Sequence, residues 1–85
     1  MSGRRRTPTE RTIIFGSALA GLTQEETNEL LSTANFREVP KSTYDMVRRS
    51  YVPYFRASPE RLRECIYAPR AIGTLGLKPL EDTEE

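Results

Sequence analysis

The 85-residue sequence contains no histidine, no tryptophan and a single cysteine, Cys65. Without histidine the chain lacks the usual general base of serine and cysteine hydrolases, and a single cysteine leaves too few ligands for a zinc site. A single cysteine also excludes an intramolecular disulfide. We therefore expect a non-catalytic protein that has no metal or other cofactor and works in a reducing, intracellular compartment.

Long apolar runs are missing as well. The longest candidate, residues 13–20, is far shorter than the run of about 18 residues that reads as a membrane-spanning helix. We therefore expect no membrane partner.

Positive and negative charges nearly cancel over the whole chain, but they are unevenly distributed. The net charge is +1, yet residues 1–6 contain three arginines and no acid, and residues 81–85 contain four acids and no base. Residues 37–63 contain seven basic and three acidic residues. This layout modestly favours a nucleic acid as partner, although a charged helix face is more often simply solvated.

Helix-start signals recur along the chain. Thr7 with Glu10, and Thr23 with Glu26, have the spacing of a capping box, and Gly21 is suited to end the first helix in a left-handed conformation. A third helix is predicted to begin near residues 40–42 and to bend or stop at Pro53. A fourth is predicted to begin at residues 58–60.

Apolar residues at helical spacing predict which side of each helix faces the core. The predicted core residues are Ile14, Phe15, Ala18 and Leu19 in the first helix, Thr27, Leu30, Leu31 and Ala34 in the second, Tyr44, Val47, Tyr51 and Val52 in the third, and Leu62, Cys65 and Ile66 in the fourth. The predicted fold class is all-α, a small helix-turn-helix bundle of three to four short helices with an extended C-terminal strap. The expected organisation is a basic flexible arm (1–6), a helical domain (7–68), and a strap with an acidic tail (69–85).

Two segments of the helical region resemble a known family. They are Gly21-Leu22-Thr23-Gln24-Glu25-Glu26, followed by Leu30-Leu31, and Val39-Pro40-Lys41-Ser42-Thr43-Tyr44. Over about residues 7–56 the chain resembles the homeodomain-like helix-turn-helix domains of transposases, resolvases and related regulators. In that family the second helix braces against the DNA backbone and the third, here about residues 41–52, lies in the major groove. The stretch between Leu31 and Val39 is longer than the compact turn of that family.

The resemblance implies a set of DNA contacts. Arginines of the N-terminal arm would enter the minor groove, the start of the second helix would meet a phosphate, and the outward side of the third helix would meet bases and phosphates. The residues concerned are Arg4, Arg5, Arg6, Thr23, Gln24, Lys41, Ser42, Asp45, Arg48 and Arg49. The function expected from the resemblance is non-catalytic binding of duplex DNA, in a nucleus or nucleoid, with RNA as a target that the sequence does not exclude.

A second hypothesis is a helical subunit or adaptor of a larger protein assembly. The aromatic residues after Pro53 and the apolar residues of the strap would then carry the interface. They are Tyr54, Phe55, Ile72, Leu75 and Leu77. A homodimer is also possible, because a chain this short buries a limited share of its surface on its own. Core packing is the competing interpretation for the aromatic residues, and base stacking is a third.

Overall fold

The computed structural model describes residues 4–67 and 81–82, with the side chains of residues 6–67. In this part of the chain the fold is a small all-α bundle, as predicted. The helices are α1 (Pro8–Ala20), α2 (Gln24–Thr33), α3 (Lys41–Met46), α4 (Val52–Ala57) and α5 (Glu60–Tyr67), and a π-helical turn (Val47–Tyr51) joins α3 to α4. Two two-residue strands, β1 (Arg4–Arg5) and β2 (Glu81–Asp82), pair in antiparallel fashion.

Both predicted capping boxes are present. The Thr7 hydroxyl accepts from the Glu10 N–H at 3.2 Å, and the Glu10 carboxylate accepts from the Thr7 N–H at 2.8 Å. Thr23 and Glu26 repeat this exchange at the start of α2. Gly21 ends α1 with φ +84°, in the left-handed region where a side chain would be strained. The first helical hairpin is therefore determined by local sequence.

The segment between α2 and α3 interrupts the helical backbone. Asn35 adopts a left-handed φ of 65°, which asparagine tolerates better than most residues. Val39 is buried and Phe36 packs against the core, so apolar contacts hold the segment to the bundle. The connection covers residues 34–40, which is longer than the three to four residues of a compact helix-turn-helix turn.

The sequence predicted that the third helix bends or stops at Pro53, and the helix does not stop there. The backbone stays helical through the π-helical turn, and Pro53 lies in the first turn of α4, which continues to Ala57. A proline inside a helix removes one N–H donor and crowds the carbonyl one turn earlier. The wider π-helical turn, in which the Val52 N–H donates to the Val47 carbonyl, comes directly before the proline and accommodates it.

Three aromatic rings form the centre of the core. Phe15 of α1 stacks on Tyr51 with ring centroids 5.2 Å apart, and Phe55 meets both rings edge-on at 5.2 and 5.8 Å. These are favourable geometries for aromatic pairs. The trio fastens α1 to the π-helical turn and to α4.

Most of the predicted core residues are buried, and Leu19 and Leu62 are half-buried. The exposed exceptions lie in α2 and at its C-terminal end. Thr27 and Leu31 are fully buried, but Leu30 is 47% exposed and Ala34 is exposed. The predicted buried side of α2 was too wide, because Thr27 and Leu31 are the buried residues of this helix. Leu30 lies beside them and remains in contact with solvent.

A buried hydroxyl pair connects α2 to α3. The Tyr44 hydroxyl donates to the Leu22 carbonyl at 2.7 Å and accepts from Thr27 Oγ1 at 2.9 Å. Both side chains are fully buried, so their hydrogen bonds fix the start of α3 against the α1–α2 turn.

Replacing Tyr44 with phenylalanine should lower the free energy of unfolding by about 1–2 kcal/mol, because it removes two buried hydrogen bonds and leaves the Leu22 carbonyl without this donor. Urea unfolding followed by circular dichroism measures the change. Tyr67→Phe is the matched control, since Tyr67 is 67% exposed. Equal stability of the two variants would show that the Tyr44 hydroxyl does not hold α3 in place.

Candidate nucleic-acid interface

One side of the α3 helix and the π-helical turn carries five of the ten residues predicted to contact DNA. Lys41, Ser42, Arg48 and Arg49 are exposed, and Asp45 is half-buried between them. We call these five residues the basic face. The opposite side of the same helix is fully buried through Tyr44, Val47 and Tyr51. The basic face is therefore held in a fixed orientation by the core.

Two amides of α2 position the start of α3. Asn28 accepts from the Val39 N–H at 2.7 Å and donates to the Val39 carbonyl at 3.3 Å, and Gln24 donates to the same carbonyl at 2.9 Å. Val39 lies two residues before α3, so these bonds set where Lys41 begins the helix. The role of Asn28 could not be predicted from local sequence, because its partner is the backbone of a residue eleven positions away.

Charges on the basic face are only weakly tied to one another. Lys41 pairs with Asp45 at 3.5 Å, but water reaches both side chains, and such pairs contribute roughly 0–1 kcal/mol. Asp45, Arg48 and Arg49 line a surface depression of about 450 Å³. The cationic groups can thus turn toward an anion at little cost.

Arg56 extends this positive surface, although it was not among the residues predicted to contact DNA. It is exposed on α4, farther along the same continuous helix.

Arg6 does not belong to a flexible DNA-binding arm, contrary to the prediction. Its side chain is buried, and its guanidinium donates to the Glu10 carboxylate at 3.2 Å and to the carbonyls of Arg37 and Glu38 at 3.0 and 2.8 Å. Burial lowers the pKa of Arg6, and the ion pair with Glu10 opposes that shift. The side chain instead joins the start of α1 to the segment before α3.

Arg11 has a similar structural role. It is buried, and its Nε and Nη2 atoms donate to the Ile66 carbonyl in the last turn of α5 at 2.8 and 2.5 Å. Its Nη1 atom donates to the Arg6 carbonyl. A guanidinium near the C-terminal end of a helix also interacts favourably with the helix dipole.

The other two arm arginines lie in β1. The strand pairing sets Arg4 opposite Asp82 and Arg5 opposite Glu81. The arm is therefore joined to residues 81–82 through backbone pairing at these positions, whereas the prediction treated the arm as flexible. Residues 1–3, 68–80 and 83–85 lie outside the described part of the chain.

Thr23 and Gln24 are engaged within the protein. The Thr23 hydroxyl accepts from the Glu26 N–H, and the Gln24 amide donates to Val39. Glu25 and Glu26 also place two carboxylates in the first turn of α2. A phosphate at this helix start would meet negative charge, which disfavours the predicted phosphate contact there.

The residues that the adaptor hypothesis places at an interface differ in their exposure. Phe55 is 2% exposed and packs inside the aromatic core, so the prediction that it forms a surface contact is wrong. Tyr54 is half-buried and packs against the core. Ile72, Leu75 and Leu77 lie outside the described residues.

Two buried polar groups in this region have raised pKa values. Burial is the main cause for both Tyr51 and Cys65, and the pKa of the Cys65 thiol rises from 9.0 to about 11. Cys65 is 1% exposed in the core, which confirms the expectation of a buried apolar filler.

Among residues 4–67 and 81–82, no cluster of three or more histidine, cysteine or carboxylate side chains could hold a metal ion. The helices of this same region are all too short or too polar to cross a membrane.

Replacing Arg6 with methionine should lower the free energy of unfolding by about 2–4 kcal/mol, because it leaves the buried Glu10 carboxylate without its nearest cation. Adding Glu10→Gln should recover part of that loss, since glutamine preserves the capping box and removes the charge. Urea unfolding of both variants tests this. Arg63→Met, at an exposed position, is the control, and a loss no larger than that of the control would contradict a structural role for Arg6.

Cys65 should react slowly with a thiol reagent while the chain is folded. At pH 8 a pKa of about 11 leaves roughly a hundredfold less thiolate than the ordinary value, and burial slows access further. The rate of labelling, followed by absorbance, should rise by at least about a hundredfold in unfolding concentrations of urea. Similar rates with and without urea would place the thiol at the surface.

No protein-family model, curated protein or solved structure matches the chain. The function must therefore be argued from the chemistry and geometry of the residues themselves.

Proposed function

We propose that the protein binds duplex DNA without catalysis, through the basic face of α3 and the π-helical turn. The observation that carries the proposal is the arrangement of Lys41, Arg48 and Arg49. They are exposed on one side of a helix whose other side is fixed in the core. This combination favours binding, because the backbone that carries these side chains is already ordered before it meets a partner.

The chemistry of the basic face suits DNA. Arginine donates two parallel hydrogen bonds to guanine or phosphate, and lysine and serine also bind phosphate oxygens. An α-helix fits the major groove of B-form DNA. Asp45 adds an acceptor that can receive a hydrogen bond from cytosine.

The course of the chain before α3 also supports this proposal. Tyr44 and Thr27 hold α3 against α2, and Val39 is held by the amides of α2. The resemblance of the sequence to helix-turn-helix domains implies the same order of a bracing helix and a reading helix. Glu25, Glu26 and Glu29 make the exposed side of α2 acidic, so we expect phosphates to approach α3 and to avoid α2.

Replacing Arg48 or Arg49 with alanine should weaken binding to mixed-sequence duplex DNA by about three- to tenfold. Each substitution should also reduce the slope of log affinity against log salt concentration by about one, because one phosphate contact is lost. Fluorescence anisotropy of a labelled duplex at several salt concentrations measures both quantities. Arg63→Ala removes the same charge from α5 and should leave affinity and slope nearly unchanged.

Substitution of Lys41 or Ser42 should instead alter the preference among duplex sequences. A wild-type chain that does not bind duplex DNA at about 50 mM salt would overturn the proposal. Equal losses for Arg63→Ala and Arg48→Ala would do the same, since binding would then depend on total charge. Preferred binding of double-stranded RNA in competition would replace DNA by RNA as the target.

A further inference from the structure

A second surface lies between α1 and α2, and its lining residues carry no charge. It is a groove of about 350 Å³, here named the α1–α2 groove, whose lining includes Ile13, Gly16, Ala20, Leu22 and Leu30. Gly16 and Ala20 are one turn apart on α1 and form a low floor, while the larger side chains rise on either side. The groove therefore has room for an apolar side chain of another molecule.

The exposure of Leu30 is the clearest sign that the α1–α2 groove is an interaction surface. At 47% exposure it is one of two large apolar side chains exposed within the described residues, and it borders the groove. A single exposed leucine is ordinary, but an exposed leucine beside an apolar groove is typical of an interaction site. Gly16 adds space, because a Cβ built there would meet no atom within 4 Å.

The charges around the groove favour a basic partner. Glu26 lies one turn before Leu30 and Glu29 directly precedes it, and both are exposed. The sole basic residue of α1 and α2 is Arg11, which is buried and bound to carbonyl groups. No basic side chain of these two helices therefore offsets the glutamates at the surface.

This charge pattern disfavours a second copy of the chain as the occupant. A two-fold interface brings the same patch of both copies together, so the glutamates would face one another. Like charges brought close together at an interface weaken association.

We propose that the α1–α2 groove binds an amphipathic helix of another protein, which inserts large apolar side chains and carries lysine or arginine beside them. Helices commonly dock in this way, with apolar anchors spaced at one helical turn. This surface lies on α1 and α2, whereas the basic face lies on α3 and the π-helical turn, so the proposal is independent of DNA binding.

The test uses the full chain and two synthetic peptides of about 18 residues, long enough to form a helix. Both carry leucine at helical spacing, and their remaining positions are rich in lysine in one peptide and in glutamate in the other. Nitrogen–proton correlation spectra of the labelled protein report where each peptide binds. The lysine peptide should shift the signals of Gly16, Ala20 and Leu30, and the glutamate peptide should not.

Two variants test shape and charge separately. Gly16→Leu fills the groove from a position with free space, so it should weaken binding of the lysine peptide by at least about tenfold while the chain stays folded. Glu29→Lys should weaken the lysine peptide by about two- to fivefold and strengthen the glutamate peptide. Glu38→Lys is the matched control, because it makes the same charge change at an exposed position outside the groove.

Equal binding of the two peptides, or equal effects of Glu29→Lys and Glu38→Lys, would overturn the proposal. Shifts confined to α5 would do so too. Signals of the α1–α2 groove that move with protein concentration alone would assign this surface to a second copy of the chain instead.

Discussion

The structure depends on two buried arginines at the start of α1. Arg6 binds the carbonyls of Arg37 and Glu38, and Arg11 binds the carbonyl of Ile66. These bonds join α1 to the segment before α3 and to the end of α5, which are distant in sequence. A small chain buries a limited apolar area, so charge-assisted hydrogen bonds to otherwise unpaired carbonyls supply part of its cohesion. Both of these distant segments are therefore attached to α1 and the residues just before it.

The hydrogen bonds of Arg6 also affect the proposed DNA surface. Arg6 holds the backbone of Arg37 and Glu38, and the next residue, Val39, is held by Gln24 and Asn28. The chain then enters α3 within two residues. Arg6 was expected to touch DNA, but it instead holds the segment that leads into the basic face. Arg6 positions that face and is too deeply buried to contact a nucleic acid itself.

The parts of the fold that the sequence predicted are those with local causes. The capping boxes at Thr7 and Thr23 and the left-handed Gly21 each depend on residues within a few positions, and all three are present. The errors arise where distant segments meet. Leu30 has helical spacing typical of a core residue, but only the packing angle of α2 decides that it stays exposed. Burial of Arg6 likewise requires carbonyls more than thirty residues away.

The prediction made at Pro53 affected both the expected fold and the expected site. A proline inside a helical pattern usually ends the helix, yet here the π-helical turn lets the helix continue to Ala57. The continuation carries Phe55 into the aromatic core, so a residue predicted as a partner contact is part of the interior. It also places Arg56 on the exposed side of the helix, beyond Arg48 and Arg49.

The near-neutral net charge of the chain conceals two surfaces of opposite sign, a basic one along α3 and α4 and an acidic one along α2. Because each surface lies on its own helices, a polyanion and a basic partner helix could occupy them at the same time.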